Sequence, residues 1–310
     1  MRAGDDHDGA GAAFARAALA GNPSDGYGGG VLAVCVRNFA ATVELTRAGD
    51  GLRVRPAAAG ALVEAAVARH ATATGRVPPA LSVTVRTTIP REVGLAGSSA
   101  IVIATMRALD ALLGTRVARD ALPPLALAAE TDLGIAAGLQ DRVAQAYGGL
   151  TAMTFDSQGF AARALDPGLL PPLIVAWDTE GAEPSGRYHG DLRARWAAGE
   201  PRVRSAIARL AEAARSAAAA IERRDAAALG AAMDASYDLR ASLGPLDPRH
   251  VALVQGARDI GLCANYAGSG GAIVAISPDA APVAALLDVL ADRSITAVEA
   301  RVVPAGVVDR

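Results

Sequence analysis

The stretch IPREVGLAGSSAIVIATMRALDALLG, residues 89–114, constrains the fold of this 310-residue chain more than any other. Gly94, Gly97, Ser98 and Ser99 stand directly before a long apolar run. That pattern predicts a loop of small residues that feeds straight into a helix. The first N–H groups of a helix lack intrahelical partners, and the aligned peptide dipoles make that end positive. A loop without side-chain bulk lets an anion reach those donors, and a phosphate is the obvious guest. The loop has neither the G-x-x-x-x-G-K-[ST] nor the G-x-G-x-x-G spacing, so it is not a Walker A loop or a dinucleotide fingerprint. An ordinary serine N-cap is the alternative use of the same residues.

A buried helix of this kind needs sheets to pack on, and the flanking sequence supplies strand patterns. Residues 1–12, acidic and glycine-rich, read as a disordered tail. FARAALAG reads as a buried strand followed by the turn-rich GNPSDGYGGG. VLAVCVRNFAATVELT reads as one or two strands and GLRVRP as another. AGALVEAAVARHATATG has helical spacing and stops at Gly75. ALSVTVRTTIP alternates and is stopped by Pro90. Beyond the opening stretch, PPLALAAETDLGIAAGLQDRVAQAYGGL reads as two helical pieces broken around Gly134–Gly138. GLTAMTFDSQGFAARAL reads as a hairpin, and residues 166–172, DPGLLPP, as a linker. The second half opens on the strand LIVAW and the polar loop DTEGAEPSGRYHGD. Helices fill most of 190–262, and ANYAGSGGAIVAIS is a glycine loop running into a strand. A helix at 280–292 and a strand near 295–303 close the chain. This order of elements is α+β in two parts, 13–165 and 172–310.

All 30 basic residues are arginine, so any essential cation is an arginine or a metal. The net charge of −2 argues against a nucleic-acid or anionic-membrane partner. No apolar run reaches the ~18 residues of a membrane span, and the N-terminus has no signal-type apolar region. The chain is read as cytoplasmic. Cys35 and Cys263 sit in apolar stretches and read as buried small hydrophobes rather than a disulfide or metal cluster.

Three further constellations carry chemistry. Glu130 and Asp141 lie eleven residues apart across the glycine break, and Asp141 stands in an apolar neighbourhood. A base or a metal ligand is one reading; a cap or a salt bridge to Arg142 is the other. Gly268, Ser269, Gly270 and Gly271 precede an apolar strand, as a ligand-approaching loop or a plain β-turn. Arg16 falls on the first strand, where burial requires a partner. The Asn22–Tyr27 loop is dense in hydroxyl and amide groups that suit a polyol, or it is a surface turn.

Together, in this order, the motifs resemble the GHMP kinase superfamily. Pro90–Ala100 follows its P-x-x-x-G-L-x-x-S-S-A nucleotide loop. Arg16, Leu19 and Gly21 follow its first motif, and Gly268–Ala272 its third. GNPSDGY, NFAATVEL, TTIPREVGLAGSSAIV, GLQDRVAQAYGGL, YDLR and GSGGAIV are similar to the plant-type glucuronokinases. The G-E-H-x-D of galactokinases is replaced here by Gly21-Asn22-Pro23-Ser24-Asp25.

The resemblance implies a ribosomal-S5-domain-2-like N-terminal domain and a ferredoxin-like C-terminal domain with the active site between them. It implies ATP and Mg²⁺ as cofactors and a small alcohol as acceptor, the anomeric hydroxyl of D-glucuronate in glucuronokinases. Pro90, Gly94, Leu95, Ala96, Gly97, Ser98, Ser99 and Ala100 would cradle ATP, with Gly268, Ser269, Gly270 and Gly271. Ser99 and Glu130 would hold the metal. Asp141 would be the catalytic carboxylate, with Arg16 beside it. Asn22, Ser24, Asp25 and Tyr27 would face sugar hydroxyls, and Arg187, His189 and Arg240 are candidates for a clamp on the uronate carboxylate. Alternatives within the fold are another uronate or sugar, a heptose phosphate or mevalonate as substrate, or a catalytically silent sugar sensor. A monomer or homodimer is expected.

Overall fold

The computed structural model describes residues 8–135, 137–178 and 186–302, with the backbone alone over 186–190. The first sheet has six strands, ordered β3-β4-β2-β5-β6, with β1 pairing to β2 off that path. They are β1 (Gly9–Ala20), β2 (Gly30–Arg47), β3 (Leu52–Arg55), β4 (Leu81–Thr87), β5 (Leu150–Asp156) and β6 (Gly159–Leu165). All pairs are antiparallel except β3 with β4. α1 (Gly60–Thr74), α2 (Gly97–Leu113), α3 (Leu122–Thr131) and α4 (Gln140–Tyr147) belong to this half. The apolar run of the opening stretch becomes α2. It buries Val102, Ile103, Met106, Leu109 and Leu112 in the main core, each worth about 1.5–3 kcal/mol.

The N-terminal expectation is corrected at one point. Gly9–Ala12, placed in a disordered tail from sequence, are part of β1, with Gly9 opposite Leu45 and Ala12 opposite Thr42. Their smallness serves packing: a Cβ on Gly11 would stand 2.2 Å from the Ala104 carbonyl oxygen of α2. The glycines that resemble linker composition are what lets α2 lie on the strand.

The second sheet is ordered β10-β7-β9-β8 and every pair is antiparallel. Its strands are β7 (Leu173–Trp177), β8 (Cys263–Tyr266), β9 (Ala272–Ile276) and β10 (Thr296–Glu299). Among the described residues four helices separate β7 from β8: α5 (Gly186–Ala197), α6 (Pro201–Glu222), α7 (Ala226–Ala241) and α8 (Pro248–Arg258). α9 (Val283–Asp292) connects β9 to β10. Order and connectivity are those of a β-α-β-β-α-β ferredoxin-like unit with an enlarged first crossover. β8 is the strand the sequence reading passes over, because four residues, CANY, carry too short a pattern. The chain leaves the first sheet at Leu165 and enters the second at Leu173, through a turn capped by Asp166.

The two halves meet along β1. The Ala18 N–H donates to the Ala267 carbonyl, and the Arg16 N–H to the Leu95 carbonyl. Asn265 Nδ2 donates to the Leu19 carbonyl. The second half of β1 is therefore bonded to both glycine loops, which puts Arg16 at their junction. Among the described residues, no helix is long and apolar enough to cross a membrane.

Candidate active site

The two glycine loops touch backbone to backbone. A Cβ on Gly94 would lie 2.8 Å from the Ser269 nitrogen and from the Gly270 oxygen; one on Gly268 would lie 2.0 Å from the Gly94 oxygen. Only glycine permits that approach, which is why two loops 174 residues apart in sequence, at Gly94 and Gly268, both need it. Ala96, the residue before α2, holds φ 63° and ψ 45°, a left-handed conformation that costs a non-glycine residue about 1 kcal/mol. Its carbonyl is fixed by Gln145 Nε2 at 2.9 Å and by Ser99 Oγ at 3.2 Å. The expected phosphate loop, Pro90–Ala100, is thus locked from behind by α4.

Asp141 opens α4 and is ion-paired to Arg16, whose side chain is 3% exposed while that of Asp141 is 19% exposed. The difference matters: the cation is sealed in, and the carboxylate keeps one side open to a ligand. Arg16 Nη1 also donates to the Ala267 and Gly94 carbonyls, one in each glycine loop. A single buried guanidinium therefore ties the carboxylate to both loops.

Glu130 is fully buried. Ser98 Oγ donates to its Oε1 at 2.7 Å, while Arg142 donates to Oε2 through Nε at 2.7 Å and through Nη2. Arg142 Nη1 donates to the Gly138 carbonyl at 2.7 Å and stands 3.7 Å from Asp141 Oδ2. Ser99, expected beside Glu130, turns instead to Gln145 Oε1 at 2.8 Å. One residue along a helix is a rotation of about 100°, and that rotation decides which serine meets the glutamate.

The Asn22–Tyr27 loop divides. Asn22 and Asp25 converge on α4: Gln140 Nε2 donates to Asn22 Oδ1 at 2.9 Å and to Asp25 Oδ1 at 3.2 Å, and the Gln140 N–H to Asp25 Oδ2 at 3.3 Å. Burial pushes the Asp25 carboxyl up to about 6, and the Asp141 charge adds to it; the Gln140 N–H, Arg16 and Arg142 oppose. Ser24 is fully buried and closes the turn on the Gly30 carbonyl at 2.8 Å. Tyr27 stacks at a tilt on Trp196, ring centroids 5.2 Å apart. Ser24 and Tyr27 thus shape the loop.

Arg240 is placed differently from a substrate clamp. It is 1% exposed, donates through Nη1 to the Gly268 carbonyl at 2.8 Å and through Nη2 to the Ser269 carbonyl at 2.9 Å, and lies over the Tyr266 ring. Asn22 Nδ2 donates to the same Gly268 carbonyl at 2.8 Å. Arg240 braces the third-motif loop. The side chains of Arg187 and His189 lie outside the described residues. Sequence reading missed Gln140 and Gln145, and named Arg142 only as a salt-bridge partner of Asp141, without its bonds to Glu130. A signal was available for Gln145, which is four residues beyond Asp141 and so on the same helical face.

Ser98 Oγ and Glu130 Oε1 are hard oxygen donors of the kind Mg²⁺ takes. Among the described residues no group of three or more His, Cys, Asp or Glu gathers. The protein alone offers a partial shell, which fits an ion that arrives with nucleotide phosphates and keeps waters.

Comparison with known proteins bears on the family and the fold. Residues 61–149 match the family described as GHMP kinases N terminal domain, and residues 217–294 match GHMP kinases C terminal. The chain is 31% identical over 306 residues to glucuronokinase 1 of Arabidopsis thaliana, across 86% of this chain and 84% of that one. It is 39% identical over 205 residues to probable glucuronokinase 2 of the same plant, across 62% of this chain and 56% of that relative, little more than half its length. Streptococcus pneumoniae phosphomevalonate kinase in complex with phosphomevalonate and AMPPNP shares the fold, with TM-score 0.78 and 19% identity over 94% of this chain and 99% of that one. The sequence motifs, the two-sheet fold and the relatives agree, and the chain belongs to the GHMP kinase family.

Proposed function

We propose that the chain is an ATP-dependent sugar 1-kinase that transfers the γ-phosphoryl group of ATP to the anomeric hydroxyl of D-glucuronate. The observation that carries the reading is the Arg16–Asp141 pair at the junction of the two glycine loops, with the carboxylate alone open to a ligand. The glucuronokinases among the relatives support the choice of sugar.

Phosphoryl transfer is mostly positioning and charge stabilisation. The α2 N-terminus and the Gly94–Gly97 backbone hold the ATP phosphates, and the Gly268–Gly271 loop supports them from the other side. Ser98 and Glu130 hold Mg²⁺, which when bound neutralises phosphate charge. Asp141 accepts or orients the proton of the attacking hydroxyl. Arg16, always charged and anchored on a carbonyl of each glycine loop, fixes Asp141 in place through Nη2 rather than moving a proton itself. Asn22 and Asp25 meet the sugar hydroxyls, oriented by Gln140. The clamp for the uronate carboxylate falls to Arg187 or His189, since Arg240 is committed to the loop.

Phosphorus NMR of the product of Mg-ATP and glucuronate tests this reading. A single phosphate coupled to the anomeric proton is the expected result. Phosphate on another carbon, or free phosphate alone, contradicts it.

A further inference from the structure

Arg142 stands in an unusual place for a fixed positive charge. Its guanidinium is 2% exposed, donates twice to Glu130 Oε2 and reaches within 3.7 Å of Asp141 Oδ2. The only remaining Glu130 oxygen is Oε1, which Ser98 shares. A unit cation thus already lies between the carboxylate that would hold Mg²⁺ and the carboxylate that would meet the acceptor hydroxyl. Arginine keeps its charge at every working pH, so this cation is permanent. Two carboxylates together would offer a divalent ion a net charge of −2. Arg16 on Asp141 and Arg142 between the two carboxylates bring that sum to about zero, and the ion meets a like charge only a few ångströms away.

We propose that Arg142 is a positioning residue that sets the cation affinity of this site. It holds Glu130 in place and cancels part of the negative charge, so that a divalent ion is retained only when nucleotide phosphates restore that charge. The inference rests on the reading of Ser98 and Glu130 as the metal-holding pair. It does not depend on which sugar is the acceptor. The consequence is ordered loading: the metal enters with the nucleotide, and the nucleotide-free site does not fill with cation.

The test is a titration of the full-length, nucleotide-free protein with Mn²⁺, free ion being read by electron paramagnetic resonance. Arg142→Gln is expected to tighten the Mn²⁺ dissociation constant about tenfold, the effect of removing one unit charge near a divalent ion in a partly hydrated site. Arg142→Lys, which keeps the charge, is expected to behave as wild type. The double variant Arg142→Gln with Glu130→Gln is expected to lose the gain. No tightening in Arg142→Gln overturns the proposal, and so does a gain that survives in the double variant. Should Arg142→Gln fail to fold, wild type decides: Mn²⁺ held as tightly without ADP as with it overturns the proposal. Failure of the kinase reading itself is separate, and shows as absent ADP release with every acceptor.

Discussion

Replacing Arg240 by alanine separates the loop brace seen in the structure from the carboxylate clamp that the YDLR sequence suggests. The side chain donates charge-assisted bonds of 2.8 and 2.9 Å to the Gly268 and Ser269 carbonyls. Each is worth about 1.5–3 kcal/mol. Its guanidinium carbon lies 5.2 Å from the Tyr266 ring centroid, a contact of about 1–2 kcal/mol where it is desolvated. The desolvation cost of the charge offsets part of this sum, and the truncation takes one donor from the buried Gly268 carbonyl, which keeps Asn22 Nδ2, and one from the part-buried Ser269 carbonyl. The net loss is about 3–4 kcal/mol, toward the upper end for single substitutions. The freed loop packs on Gly94, so ATP binding suffers as well. Urea unfolding should show the stability loss. Steady-state kinetics should show KM for ATP rising about tenfold or more, with KM for the sugar rising no further than that, and tenfold corresponds to about 1.4 kcal/mol. Arg240→Lys, keeping one donor, should recover part of both. The reasoning is refuted if stability and KM for ATP stay within about twofold of wild type while KM for glucuronate alone rises.

Four further outcomes follow from the same geometry. Asp141→Asn should abolish transfer while leaving ATP binding, measured by calorimetry, nearly intact; a kcat within about tenfold of wild type removes its assigned role. Ser98→Ala should raise the Mg²⁺ concentration needed for half-maximal rate, whereas Ser99→Ala should chiefly cost about 1 kcal/mol of stability through the lost bond to Gln145; the reverse pattern would restore Ser99 as the metal-side serine. Gly268→Ala should cost on the order of 3 kcal/mol in urea unfolding, since its Cβ would overlap the Gly94 carbonyl, and a neutral result would mean the loops are not in contact. Asp25 binds its proton more tightly folded than unfolded. Its favourable contribution is therefore complete below pH 3.8 and is lost as pH rises to about 6. Across that window Asp25→Asn should gain about 3 kcal/mol relative to wild type. Parallel stability curves for the two proteins between those pH values would show that the Asp25 carboxyl is not raised.

What the sequence made legible was what is local. The Gly94–Ser99 loop and the apolar face of α2 are adjacent in the chain, so period and composition show them together. The break between α3 and α4, and the hairpin β5–β6, are local in the same sense. Partnerships across the chain were legible only where the family resemblance supplied them, as for Arg16 beside Asp141. Arg240 meets carbonyls 28 and 29 residues away, and a backbone acceptor leaves no residue-type signal for sequence to display. Arg142 reaches Glu130 across 12 residues and a loop, so its commitment depends on how α3 and α4 cross. Gly9–Ala12 were misjudged because a strand built of glycine and alanine has the composition of a linker; only the approach of α2 explains it. The choice between Ser98 and Ser99 turns on helix phase at the first turn, which sequence leaves uncertain by about one residue.

The central claim is that this arrangement phosphorylates a sugar acid. ADP release should therefore be measured with Mg-ATP against glucuronate, galacturonate, glucose, galactose, a heptose phosphate and mevalonate, using wild type and Asp141→Asn side by side. The account predicts strong turnover on glucuronate, little on the neutral sugars, and none with Asp141→Asn. Turnover on a neutral sugar or mevalonate in preference to glucuronate, or undiminished turnover in Asp141→Asn, would contradict it.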